Sequence, residues 1–381
     1  MVISIACYYI LAILMIFGSF IPLIIYLRYG REPKIEYNAE YEVDLPTDDP
    51  PAIVNAICGS GLSKKMGEPD MNGFVATIMD LINRNYLLIK DMPSNDDDLN
   101  SSCSLFLEIN PDYNPDTLWE FEVEVLNFLK EYEQDGIISM DMVSESLNYD
   151  NGANFFEYTY RNWKNEVKQA LLTNGSLKEA FLEKGDKYIK IFGISGLIIT
   201  IVIFFLAFPS SWGVTYVILF SIFFVFLMMK SKIVKIYGSI MLISVTMGLF
   251  GVFSNFSPAF KAIFYSAMIF GAVSIVSIML PQKIAGQWTV YGREYYTKWH
   301  SFKKYIEDYS LIKDYSPKSV NVWNNYIVYA TALGAAEEVR KAIKFSIPYD
   351  QLMGNDLCSF HYYNSPISLL KNAIDTALNR D

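Results

Sequence analysis

The chain has 381 residues, of which 52% are hydrophobic and 15% aromatic, a more apolar composition than an ordinary soluble protein has. Its net charge of −10 is unevenly distributed, because residues 31–190 hold 31 acidic and 14 basic side chains while the rest of the chain carries an excess of basic ones. A surface this negative repels phosphate backbones, so the composition argues against nucleic acid as a partner.

The first predicted element is an uncharged apolar run that fills residues 1–27. It lacks the basic start and the cleavage site of a signal peptide, so we predict a transmembrane anchor. Arg28, Arg31 and Lys34 follow the run, and positive charges favour the cytoplasmic side. The amino terminus is therefore expected outside. Residues 28–51 are polar and proline-containing, which predicts an extended linker.

Residues 52–190 are predicted to form an acidic cytoplasmic α+β domain. Apolar spacing predicts a helix over residues 72–82, strands over 86–89 and 105–109, and further helices over 115–132 and 155–172. A helix followed by a hairpin with a long tip resembles a winged-helix unit. We interpret Asp135 and Gly136 as the end of the helix over residues 115–132, the first element after the hairpin.

Residues 191–281 are predicted to contain four further transmembrane helices. Residues 191–280 hold four charges in all, Lys230, Lys232, Lys235 and Lys261, and breaks occur at residues 209–213, at the first three of these lysines and at residues 254–258. With the anchor, this makes about five spans. The lysines and arginines of alternate loops would face the cytoplasm, as would the carboxyl terminus, with Lys261 as the single exception. Small residues at Ser244 and Gly248, and at Ala267 and Gly271, favour close packing of helices.

Residues 282–345 are predicted to form cytoplasmic amphipathic helices, over residues 291–309 and 323–345. The aromatic side of the first could lie on the inner membrane face or pack on the acidic domain, and the sequence leaves both open. Residues 346–381 form a polar tail, with a further helix predicted over residues 366–379.

We assign no catalytic, cofactor-binding or metal-binding residue. Asp96, Asp97 and Asp98 lack the ligand spacing of a calcium loop and are expected to be a solvated loop tip. Glu120, Glu122 and Glu124 alternate along a helix, which predicts a charged face and no acid–base pair.

Four scattered cysteines and two histidines, His300 and His361, offer little for a disulfide framework, a zinc site or histidine catalysis. Residues 59–67 contain glycines and lysines but lack the ending of a phosphate-binding loop. Arg84 and Lys90 are too few for a DNA-binding face. We therefore expect no cofactor and no enzyme activity.

Three segments carry a resemblance to a known family. These are LRYGREPKIEY at residues 27–37, ATIMDLINRNYLLI at residues 76–89, and WHSFKKYIED at residues 299–308 followed by WNNYIVYATALGAAEEV at residues 323–339. Together with the order of the spans they resemble the YciQ-like predicted membrane proteins, a family of unknown function. Members typically carry an extracytoplasmic domain before the first span. No such domain precedes the first span in this sequence, which leaves two expectations open: a sensing or binding role assigned to that domain does not carry over to this protein, or a separate polypeptide supplies the domain.

These features predict a multi-pass protein of the cell membrane whose cytoplasmic regions recruit protein partners. The expected contacts are the lipid bilayer and a protein partner, with a partner that bears an extracytoplasmic domain as one candidate. A homo-oligomer is left open. The alternative function is a transporter or channel component, which four clustered spans would permit.

Overall fold

The computed structural model describes residues 5–59, 66–90, 105–173, 180–207, 257–308 and 320–346. The chain divides into two compact units. Unit 1 comprises Met1–Arg31 and Leu182–Gln287, and unit 2 comprises Glu32–Phe181 and Trp288–Asp381. Each unit is therefore built from two stretches that are far apart in the sequence.

The described residues are mostly helical. The helices are α1 (Ile5–Gly18), α2 (Ile21–Tyr29), α3 (Pro51–Cys58), α4 (Met71–Asn83), α5 (Glu120–Lys130), α6 (Met140–Ser146), α7 (Asp150–Thr173), α8 (Lys184–Ala207), α9 (Pro258–Met279), α10 (Gln282–Ala285), α11 (Val290–Glu307), α12 (Val320–Leu333) and α13 (Ala336–Ser346). The strands are β1 (Leu87–Lys90), β2 (Phe106–Ile109), β3 (Glu133–Gln134), β4 (Ile137–Ser139), β5 (Phe181–Leu182) and β6 (Gln287–Trp288). A 3₁₀ turn covers Pro115–Thr117.

Unit 1 contains the apolar helices. Among the described residues, three stretches are long and apolar enough to cross a membrane: Ile5–Tyr29, Lys184–Phe204 and Pro258–Met279. They correspond to the first, second and fifth of the predicted spans. The two other predicted spans fall between residues 214 and 253, which lie outside the described residues, so the number five stays a prediction.

The first span is divided into α1 and α2 at Ser19 and Phe20. Pro22 explains the break, because its ring removes the N–H that would bond to the carbonyl of Gly18 and crowds that carbonyl. The chain closes α1 instead with a bond from the Ser19 amide to the Met15 carbonyl, 3.0 Å long. The sequence predicted one uninterrupted helix here, and the structure shows two.

Helices α8 and α9 approach closely at two glycines. A Cβ placed on Gly196 would lie 2.2 Å from Ser274 Oγ, and one placed on Gly193 would lie 2.7 Å from the Ser274 carbonyl oxygen. The Ser274 hydroxyl donates to the carbonyl of Phe270 at 2.8 Å, so its polarity is satisfied within its own helix. Ala267, at a small-residue position noted in the sequence, is also buried in unit 1. Small side chains thus permit the backbone approach on which helix association in a bilayer depends.

The substitution Gly196→Ala should destabilise unit 1 by about 1–3 kcal/mol, because the new methyl group overlaps Ser274. Ser274→Gly removes the overlapping atoms, so adding Gly196→Ala in that background should cost little. Thermal unfolding of the four purified proteins in detergent measures this double-mutant cycle. Equal losses in both backgrounds would contradict the proposed contact.

Unit 2 contains a four-stranded antiparallel sheet in the order β1, β2, β4, β3. Strands β3 and β4 are joined by Asp135 and Gly136, whose φ angles are 52° and 82°. Two positive φ angles in an Asp-Gly pair are typical of the tight turn of a hairpin. The sequence reading of this pair as a helix end missed that hairpin. Helix α5 ends earlier, at Lys130.

The core of unit 2 is centred on α4. Phe74 of this helix is fully buried and meets the rings of Phe156 and Trp163 edge-on, with both centroid distances 5.3 Å. These partners belong to α7, and Phe128 of α5 completes the cluster. Edge-to-face packing is a favourable geometry for aromatic rings. The acidic region therefore folds around an aromatic centre.

The carboxyl-terminal helices share this core. Trp299 and Phe302 of α11 are fully buried, and Trp299 stacks on Tyr329 of α12 at 5.1 Å. Of the two placements left open by the sequence, the structure thus shows the aromatic side of α11 packed within unit 2. The single helix predicted over residues 323–345 is divided into α12 and α13 at Gly334, whose φ of 76° ends α12 in the left-handed region.

Candidate functional site

Two buried carboxylates and a partly exposed arginine join α4 to α5. Arg84 Nε lies 2.8 Å from Asp80 Oδ2, and Arg84 Nη2 contacts Glu122 Oε1. The other oxygen of Glu122 accepts the Trp119 amide at 3.0 Å and thereby caps α5. The guanidinium also lies over the Tyr86 ring, 5.0 Å from its centroid. We call Asp80, Arg84 and Glu122 the ion cluster.

Burial governs the electrostatics of the ion cluster. It raises the pKa of Asp80 and of Glu122 above their usual values, although the charge of Arg84 acts in the opposite direction on both. Burial lowers the pKa of Arg84, but the charges of Asp80 and Glu122 outweigh this and the pKa is raised. Arg84 therefore stays charged and holds the two carboxylates together, so the cluster serves to fix α4 against α5.

A second polar group joins α3 and α4 to the carboxyl-terminal helix α12. The buried Asn55 amide donates to Asp70 Oδ1 and to the Ala332 carbonyl, and its oxygen accepts the Asp70 N–H, with all three distances 2.8 Å. Nearby, Asn83 Nδ2 donates to Asn325 Oδ1 at 2.7 Å. The Asn55–Ala332 and Asn83–Asn325 bonds connect residues more than 240 positions apart, so α12 is specified by hydrogen bonds as well as by apolar contact.

The linker is fastened to the same carboxyl-terminal helices. Residues 30–50 form no helix or strand. The Ser301 hydroxyl donates to the Ala39 carbonyl and the Tyr329 hydroxyl to the Asp49 carbonyl, both at 2.8 Å. Burial raises the pKa of Tyr329 well above its ordinary value. The tyrosine therefore remains a hydrogen-bond donor at neutral pH.

The exposed charges of unit 2 are mainly acidic. Between residues 105 and 173, two basic side chains, Lys130 and Arg161, are exposed. Nine acidic side chains are exposed in the same range: Asp112, Asp116, Glu120, Glu131, Glu133, Asp135, Glu145, Asp150 and Glu157. The negative charge seen in the sequence thus lies at the surface of this part of the domain.

Several residues considered from the sequence occupy clear positions. Glu122, which we assigned to a charged helix face, is buried in the ion cluster, whereas Glu120 is exposed. That assignment was wrong for Glu122, because capping and the Arg84 contact bring its carboxylate inside. His300 stacks on Tyr296 at 5.8 Å, and burial, together with Lys304 and Lys303, lowers the pKa of His300.

The remaining candidates fall partly or wholly outside the described residues. These are Asp96, Asp97, Asp98, His361, Ser244, Gly248, most of residues 59–67 and the helix predicted over residues 366–379. Within the described ranges, no group of three or more His, Cys, Asp and Glu side chains could hold a metal ion. Sequence reading missed Asp80 and Asn55 altogether, and Asp80 carried a signal, because an acid four residues before Arg84 on a helix predicts an ion pair.

The apolar helices and the family comparison agree on the class of this protein. It is a predicted membrane protein, and residues 38–343 match the family described as "Predicted membrane protein (DUF2207) C-terminal domain". The chain belongs to this YciQ-like family of unknown function, which confirms the resemblance found in the sequence. Comparison with curated proteins and with solved structures gave no match.

Removal of Arg84 should destabilise unit 2 most at high pH. In Arg84→Met, two buried carboxyl groups lose their counter-charge, and we expect a loss of stability of about 2–3 kcal/mol at pH 8. This is less than the usual cost of breaking a buried ion pair, because the Arg84 side chain is about a third exposed. Their folded-state pKa values then lie further above the unfolded ones. Between the unfolded-state and folded-state pKa values of these carboxyl groups, the folded protein binds more protons than the unfolded protein. The stability of Arg84→Met therefore falls as pH rises through that range.

Thermal unfolding followed by tryptophan fluorescence at pH 5 and pH 8 measures this difference. The matched control is Lys90→Met, which removes an exposed ion pair with Glu108 and should cost less than about 1 kcal/mol at either pH. Equal destabilisation of Arg84→Met at both pH values would contradict the assigned role of the ion cluster.

Proposed function

We propose that this protein is a scaffold of the cell membrane that presents unit 2 to the cytoplasm and recruits basic protein partners. The observation that carries the proposal is the surface charge, nine exposed acidic side chains against two exposed basic ones between residues 105 and 173. A surface of one sign attracts partners of the opposite sign and discriminates against others. Capture of a basic partner is the activity that such a surface supports.

The proposal includes a winged-helix-like unit over residues 71–109 that contacts protein and not nucleic acid. Its support is the order of α4 followed by the antiparallel pair β1 and β2. The two basic side chains that could face a phosphate are already engaged, because Arg84 belongs to the ion cluster and Lys90 contacts Glu108. Too little positive charge is left there for a phosphate backbone.

The proposed topology has five spans, with the amino terminus outside and unit 2 in the cytoplasm. The support is the distribution of basic residues: Arg28 lies in the last turn of the first span and Arg31 just after it, and Lys184 and Lys187 begin the second span. Positive charges accumulate in cytoplasmic loops. In this arrangement a partner with an extracytoplasmic domain would meet the outer ends of the spans.

We infer no enzyme activity, since the carboxylates that the fold brings together in the ion cluster are held by Arg84. The alternative function, a transporter or channel component, is favoured by one observation in unit 1. Asp186 is buried in the first turn of α8 and lies 2.7 Å from Lys190. Ionisable groups in membrane helices often line transport pathways. Flux across reconstituted vesicles distinguishes the two functions.

Exchange of six exposed acids for amides should weaken partner capture. The substitutions are Asp112→Asn, Glu131→Gln, Glu133→Gln, Asp135→Asn, Glu145→Gln and Glu157→Gln. We expect at least a roughly fivefold loss of partners co-purified from native membranes in mild detergent, because the steering charge is removed. The control exchanges Lys130 and Arg161 for Gln and should retain capture. Unchanged capture by the variant that carries all six amide substitutions would refute recruitment by charge.

The topology is tested with Cys103. In intact cells, a membrane-impermeant thiol reagent should leave a variant with Cys103 as its sole cysteine unlabelled, and lysis should permit labelling, because a cytoplasmic residue is shielded by the bilayer. The control is a sole cysteine introduced ahead of the first span, at position 2. Labelling of Cys103 before lysis, with no increase after it, would invert the proposed orientation.

A further inference from the structure

An aromatic patch lies on the outer face of α7. Tyr158 is 59% exposed and Phe155, one helical turn earlier, is 37% exposed. Phe155 stacks on Phe128 at 5.8 Å, and Phe128 also meets the ring of Tyr132 at 5.4 Å. Since both Phe155 and Tyr132 rest on the buried Phe128, the patch is held by the core. We call Tyr132, Phe155 and Tyr158 the aromatic patch.

Single exposed apolar side chains are common on folded proteins, but grouped aromatic ones are not. Aromatic side chains bury much area and lose little conformational freedom when they bind, which is why they dominate the energetics of protein interfaces. The packing of Phe155 on Phe128 fixes its position before any partner arrives. Binding at this patch would therefore require little further ordering.

The charges around the aromatic patch select a basic occupant. Glu131 and Glu133 flank Tyr132 in the sequence, and both are exposed. Glu157 precedes Tyr158 and is also exposed, at 3.7 Å from Arg161. Lys130 is the other exposed base of this part of unit 2, so acids outnumber bases around the patch.

We infer that the aromatic patch is the docking site for a basic amphipathic helix of a partner protein. This inference rests on the proposed recruitment of basic partners and assigns its location. The apolar side of the incoming helix would cover Phe155 and Tyr158, and its lysines or arginines would face the glutamates. A second copy of this acidic unit and an anionic lipid surface are both disfavoured by like charge.

The test uses the full-length protein in nanodiscs of neutral lipid and a fluorescent peptide of about 18 residues, five helical turns long, with leucine on one side and lysine on the other. Fluorescence anisotropy should show binding that weakens with salt. Tyr158→Ser should raise Kd roughly tenfold, the loss expected of an interface aromatic. The matched control is Leu172→Ser, which alters a similarly exposed apolar residue at the far end of α7 and should change Kd less than about twofold.

Two outcomes separate this inference from the proposed function. If Tyr158→Ser binds the peptide as tightly as the wild type while the variant with all six amide substitutions does not, the aromatic patch is not the docking site and recruitment by charge stands. If the wild type fails to bind the basic peptide, both are overturned. Self-association that is lost in Tyr158→Ser, with peptide binding unchanged, would assign the patch to a second copy and also overturn the inference.

Discussion

Helix α4 is buried along nearly its whole length, and a helix in that position needs partners on every side. Helices α3, α5 and α7 supply some of them, but α12 must return from the far end of the chain to supply the rest. The hydrogen bond from Asn55 to the Ala332 carbonyl and the pair between Asn83 and Asn325 fix where α12 lies, while Asp70 holds Asn55 in place. Unit 2 therefore depends on two stretches that are separated by the membrane helices, and neither stretch completes this core alone.

The two populations of acidic side chains have different physical roles. Asp80 and Glu122 are buried, bonded to Arg84, and hold helices together at the expense of raised pKa values. Exposed acids such as Glu131 and Glu133 lie on the surface and give unit 2 a negative electrostatic potential. A stability role requires a buried partner, whereas the recruiting role that we propose requires exposure to water and access to the partner. Burial alone separates the two roles.

Unit 1 follows the packing logic of membrane helices. Gly193 and Gly196 bring the backbones of α8 and α9 together, and buried hydroxyls such as those of Thr200 and Ser274 donate to carbonyls of their own helices. A surface of this kind gains from close van der Waals contact, since lipid tails remove the hydrophobic drive between helices. Helices α8 and α9 of unit 1 are thus held by close backbone packing, whereas unit 2 is held by its apolar core.

The sequence by itself determined the apolar helices, the acidic region and the family, because hydropathy, charge and motif order are local properties of the chain. It also predicted most helices and the pair β1 and β2 from their periodicity. The hairpin closed by Asp135 and Gly136 carried a local Asp-Gly signal that the sequence analysis missed. The tertiary structure alone decided that Glu122 turns inward and that α11 and α12 complete the core around α4. Those outcomes depend on contacts between distant residues, and a local pattern carries no information about which distant surface will cover it.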